Sequence, residues 1–217
     1  LRDSHDYCAT GFTGTGSLVV NNTGGTFQVG GATGAANQDS AIVNMSSLSS
    51  VTINLGSTGT FRIGDSNGGA NSSGTSTLTL GATNTITTGT LSIGEPTTQN
   101  LVQTLKLGSG VNTLNANTIN VGTNTQRGIG SLVFNSASGT LIVRAADGTS
   151  RAAWNMINGA SGTGAALSGT ATLTGHNADL LLSTMTMAAR SAMNGAGDAT
   201  ATFSFDTGTL DVTTLAM

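Results

Sequence analysis

Charge is scarce in this chain: 8% of its 217 residues are Asp, Glu, Lys or Arg, against roughly 25% in ordinary globular proteins. Aromatic residues make up 4%, and there is one Pro and one Cys. Each shortage closes a route. The lone Cys8 has no internal partner for a disulfide, so it is either inert or a contact between chains. Seven basic residues, scattered under a net charge of −3, offer no stripe for a phosphate backbone, and nucleic acid is not an expected partner. No apolar run reaches the ~18 residues that would cross a membrane as a helix.

What the sequence has is Gly, 32 residues of it, with much Ser, Thr and Asn, crossed by short segments in which apolar residues alternate. Alternation is the mark of strands. Between Thr77 and Gly122 the same phrase occurs twice. The first copy is Thr77-Leu78-Thr79-Leu80-Gly81, a link with Asn84-Thr85-Ile86, then Thr90-Leu91-Ser92-Ile93-Gly94. The second is Thr104-Leu105-Lys106-Leu107-Gly108, a link with Asn112-Thr113-Leu114, then Thr118-Ile119-Asn120-Val121-Gly122. The copies are offset by 27 residues at Thr77 and Thr104 and by 28 at Thr90 and Thr118, and a fixed period in the twenties signals a solenoid.

Seven segments share the second half of the phrase, opening with Thr26, Thr60, Thr90, Thr118, Thr140, Thr184 and Thr209. In each, the second and fourth residues are apolar and, with a period of two, face the same side. Gly closes the first four, which suits a corner where the backbone must bend sharply or take positive φ. First-half segments open at Ser17, Thr52, Thr77, Thr104, Ser131, Thr172 and Thr202. Residues 1–16 fit neither pattern and read as a cap or joint. Residues 30–50 read as a long loop with a stray strand at Ala41-Ile42-Val43. Residues 145–169 read as a larger insertion, with a short helix capped by Ser150 and running through Trp154. Residues 179–193 have helical spacing, yet Thr184 to Ala188 fits the strand template, so a strand is expected there.

Like segments at a coil's distance argue for parallel stacking rather than hairpins, since Thr then lies over Thr and Leu over Leu about 4.8 Å apart. The expected fold is all-β: a right-handed parallel β-helix of about seven coils over residues 17–217, right-handed because parallel crossovers are. The Thr column (Thr26, Thr60, Thr90, Thr118, Thr140, Thr184, Thr209) is then a structural ladder. At this point the T-L-x-L-G, N-T-I/L, T-L-x-I-G pattern resembles the autotransporter-associated β-strand repeats of large bacterial surface and passenger proteins. That resemblance covers nearly all of residues 17–217, implies a β-helix exported to the bacterial surface or beyond, and brings no catalytic residues. The start at Leu1, without Met or a leader, fits a processed or partial product of a longer precursor.

Candidate chemistry is thin. His5 with Asp3, Asp6 and Cys8 has no established metal-ligand spacing. Asp65-Ser66-Asn67-Gly68-Gly69 has the residue types of a calcium loop but lacks the bidentate Glu, and reads as a polar turn. Asp147, Arg151, His176, Asp179, Arg190 and Asp198 are the acids and bases with a chance of converging, around the insertion. No catalytic, metal or cofactor residue is therefore assigned. The expected role is an exported, non-enzymatic scaffold: a rod acting as surface stalk, adhesin segment or filament subunit, self-associating end to end, with cell-surface or matrix components as further partners. The alternatives are a carbohydrate-active β-helix enzyme, identifiable by reducing-end release, and an ice- or ligand-binding solenoid, identifiable for ice by thermal hysteresis. A regular second rank beside the Thr column, which ice binding would use, is missing from Gln28, Arg62, Ser92, Asn120, Ile142, Thr186 and Asp211.

Overall fold

The computed structural model describes residues 7–30, 40–64, 75–94, 102–122, 129–159, 167–190 and 198–217. Every regular element among them is a strand. In chain order these are β1 (Tyr7–Gly11), β2 (Ser17–Asn21), β3 (Thr26–Val29), β4 (Ser40–Asn44), β5 (Ser50–Asn54), β6 (Thr60–Ile63), β7 (Thr77–Thr79), β8 (Thr83–Ile93) and β9 (Val102–Leu107). They continue with β10 (Val111–Val121), β11 (Ile129–Phe134), β12 (Thr140–Arg144), β13 (Ala152–Gly159), β14 (Leu167–Thr172), β15 (Asn177–Arg190), β16 (Ala199–Ser204) and β17 (Thr207–Ala216).

Each described segment is one winding. It passes through a strand of a seven-stranded sheet, ordered β1-β4-β7-β9-β11-β14-β16, and then along an arm in a ten-stranded sheet. All strand pairs are parallel, and each joins one winding to the next, as in β7 on β9 and β8 on β10. The chain is thus a β-solenoid. About five turns lie between neighbours on both sides, while the first and last windings are covered on one side only. The expected count of about seven includes those two uncovered ends.

Alternation builds the core. Down the first sheet, Val43, Leu78, Leu105, Leu132, Ala171 and Phe203 stack in register. Along the arm, Val20, Ile53, Ile86, Leu114, Val143, Leu180 and Leu210 form a second column. Phe27, Phe61, Leu91, Ile119, Trp154, Met185 and Leu215 form a third. Inside the stack most of these side chains are wholly buried, each contributing roughly 1.5–3 kcal/mol. Phe27 and Phe61 stack face to face at 5.1 Å. Trp154 meets Phe203 edge-on at 5.9 Å.

Several sequence expectations are corrected. Residues 1–16 are not wholly a cap, because Tyr7–Gly11 is β1 and pairs with β4; an end strand has one neighbour to satisfy and manages with a weaker pattern. The stray strand at Ala41–Val43 is β4, a full member of the first sheet. The Ser17 and Thr52 segments stack on the Asn84-Thr85-Ile86 link, not on Thr77. In the third and fourth windings that link fuses with the following strand into one 11-residue strand, β8 and β10. The span 145–169 is not an insertion, for β13 carries the arm onward with Trp154 over Ile119 and Met156 over Val121. No helix forms there: Ala152, Trp154 and Met156 are buried while Arg151, Ala153 and Asn155 are not, a period of two. The strand expected around Thr184 is β15.

Candidate functional site

The arm ends at a corner that every full winding repeats. Gly30, Gly64, Gly94 and Gly122 take φ of 79°, 109°, 81° and 68° there, and Ile157 and Ala188 hold 55° and 56° in the same structural position. Positive φ was the expectation for the four glycines; the two other residues accept the same bend at a cost. The outward Thr column is continuous for four windings, Thr26, Thr60, Thr90 and Thr118, then passes to Ala153, Thr184 and Thr214. Thr140 and Thr209 do not belong to it. Thr140 lies between Val111 and Asn177, and Thr209 beside Asp179, both at the other end of the arm. An opening Thr marks a place in the alternation without saying which strand lies beneath it.

The next outward column reads Gln28, Arg62, Ser92, Asn120, Asn155 and Thr186. Its amides work along the stack: Asn155 Nδ2 donates to Asn120 Oδ1 at 3.0 Å, and Asn120 Nδ2 to Ser92 Oγ at 3.4 Å. Gln28 Nε2 donates to the carbonyl of Gly30.

Of the suspected cluster, Asp147, Arg151, His176 and Asp179 are each engaged in a structural tie instead of converging. Asp147 accepts from the Ser150 hydroxyl and from the amides of Ser150 and Thr149, which hold its pKa at about 2. Arg144 pairs with Asp179 of the next winding at 2.7 Å. Arg151 reaches two windings on: it donates to the Leu182 carbonyl and pairs with Asp211 through two bonds of 2.9 and 2.8 Å. That contact lowers the Asp211 pKa and raises that of Arg151. His176 stacks on Phe134 at 3.9 Å, with its ring nitrogens 3.0 and 2.8 Å from the carbonyls of Thr174 and Ser136. Asp198 contributes a backbone carbonyl to Leu167. The Arg190 side chain lies outside the described residues, as do Asp3, His5, Asp6, the Cys8 side chain and the loop Asp65 to Gly69.

Sequence reasoning missed the buried polar ladder at the start of the arm. Asn84 and Asn112 occupy an inward column otherwise filled by Val51, Leu141 and Ala178. Asn112 Oδ1 accepts from Asn84 Nδ2 at 2.6 Å and from the Gly108 amide at 2.8 Å. Its Nδ2 donates to the carbonyls of Gly108 and Gly110, both at 3.0 Å. Asn117 was also missed: it donates to the Ser57 carbonyl, two windings back, and accepts from the Ala146 amide of the following winding. The recurrent Asn-Thr-Ile/Leu link was the available signal for the first.

A groove at the corner between sheets, lined by Ser46, Gly81, Ala82, Ser109 and Ser136, holds about 70 Å³, far below the roughly 300–1,000 Å³ of ligand pockets. Among the described residues no three His, Cys, Asp or Glu side chains gather as metal ligands, and no helix is long and apolar enough to cross a membrane. Neither family models, nor curated proteins, nor solved structures match the chain.

Proposed function

We propose that this chain is an exported structural scaffold, a solenoid rod of a bacterial surface protein that acts as a stalk or spacer. The observation that carries this reading is where the polar chemistry goes. Arg144, Arg151, Asn84, Asn112, Asn117, Asn120 and Asn155 are all engaged in ties from one winding to another. A molecule whose charged and amide groups, buried and outward alike, bind one winding to another is built for rigidity. Placement outside the cytoplasm is supported by the repeat pattern of the sequence, with its resemblance to autotransporter-associated repeats.

Antibody labelling of intact producing cells tests the proposal. Surface decoration is the expected result. Signal confined to the soluble cytosolic fraction, with intact cells unlabelled, would overturn it.

A further inference from the structure

The ties between windings change in kind along the stack. Asn84 to Asn112 and Asn120 to Ser92 join uncharged groups, which offer nothing for acid or salt to alter. Further along, charge takes over. Arg144 meets Asp179, Arg151 meets Asp211, and the Gly175 amide donates to both carboxylate oxygens of Asp206 at 3.0 Å. Arg151 stands where the strands slip. Ala152 lies beside Leu182 but Ala153 beside Thr184, so β15 carries Ser183 as an extra residue against β13. A bulge of this kind interrupts the ladder and leaves one residue unpaired. The β17 strand follows β15 through the same place, with Val212 beside Leu182 and Thr214 beside Thr184.

Side chains close the seam. Ser183 Oγ donates to the Ala152 carbonyl at 3.1 Å. Arg151 Nη1 donates to the Leu182 carbonyl at 3.0 Å and to the Asp211 carbonyl at 3.2 Å, and Nη1 and Nη2 together hold the Asp211 carboxylate. One guanidinium thus spans three windings at their irregular point. We propose that Arg151 and Asp211 form an acid- and salt-releasable clip. At neutral pH it closes the bulged seam of β13, β15 and β17; protonation of Asp211 opens that seam while the amide-tied windings of β8 and β10 keep their pairing.

A guanidinium takes a carboxylate through two parallel bonds only while the acid is ionised. The Arg151 and Asp211 side chains are 36% and 51% exposed, so protons and salt reach the pair, and salt screens it. Its bond with Arg151 holds the Asp211 carboxyl below its ordinary 3.8. The clip's contribution is therefore whole above pH ~4 and is lost as pH falls through the lowered value. The other charges around it have partners of their own. On β15, Asp179 lies beside Thr209, two residues from Asp211, and is taken by Arg144 of β12. Asp147, in the link before Arg151, is held by Ser150 and Thr149, and Asp206, leading into β17, by the Gly175 amide.

The test is amide hydrogen exchange read by mass spectrometry on the full chain, corrected for intrinsic rates at each pH. Asp211→Asn imitates the protonated acid. At pH 7 it should speed exchange over residues 182–186 and 212–216 by about 2–5-fold, the range of an exposed ion pair, and leave residues 83–93 and 111–121 unchanged. Arg151→Gln should do the same, with far-UV circular dichroism confirming that both variants fold. The native protein should show this local rise on passing from pH 6 to about pH 3, or at pH 7 in about 1 M salt, and Asp211→Asn should show neither response. Unchanged exchange at the seam in both variants, or a rise spread evenly over all windings, would overturn the clip. So would an acid response that persists undiminished in Asp211→Asn. None of these outcomes bears on the scaffold reading, which stands or falls on surface labelling.

Discussion

Ile157 and Ala188 show what the corner demands of a single residue. Both hold a left-handed backbone where four other windings use Gly, and that conformation costs an L-residue roughly 1–2 kcal/mol. Replacing Ala188, whose side chain is exposed, by Gly relieves the strain and gives back about 0.5–1 kcal/mol in backbone entropy. Ala188→Gly should therefore raise stability by about 0.5–1 kcal/mol, read as a higher urea midpoint. Ile157→Gly should do the opposite. Its side chain is wholly buried, and losing roughly 1.5–3 kcal/mol of burial outweighs the relief. Titration offers a second test at this scale. Asp147 has a folded-state pKa of about 2 against an ordinary 3.8, so its contribution is present above pH ~4 and lost as pH falls towards 2. Thermal scans should show a loss of stability across that window that is smaller in Asp147→Asn, while above pH 5 the native protein's melting temperature should not respond to this group.

Among the elements, β8 and β10 are the most regular, and the Asn84 and Asn112 pair fixes their register. Asn112→Ala would strand the buried Gly108 amide and leave Asn84 Nδ2 with the Gly81 carbonyl as its one partner, and each unmet buried group costs about 1–3 kcal/mol. A loss of about 2–4 kcal/mol in chemical denaturation is expected, larger than for Asn155→Ala on the outer face. These same two strands explain what was legible in the sequence. The phrase from Thr77 to Gly122 could be read because the two windings it spans have arms uninterrupted by any turn. Elsewhere, period two tells which face a side chain takes but not which strand lies alongside. That is why Ser17 and Thr52 were assigned to the wrong column, and why Thr140 and Thr209 joined a ladder they do not touch. The strand through Trp154 was hidden by residues that also suit a helix, and only the winding beneath it decides. The ties of Arg144 and Arg151 join residues 35 and 60 apart in sequence, so no local pattern could announce them.

For the whole molecule, one geometric fact governs behaviour under load. Backbone hydrogen bonds between windings run along the long axis of the stack, and the chain threads every winding in turn. Traction applied to the two ends therefore pulls on these bonds one row after another instead of shearing many at once. A winding at a tip should unzip before its inner neighbours, and each release of about 30 residues should lengthen the tether by about 100 Å. Optical-tweezer traces should show a staircase of such increments at modest force, whereas a single rupture releasing all the contour together would contradict it. A stack of this kind gives way from its tips and keeps its middle.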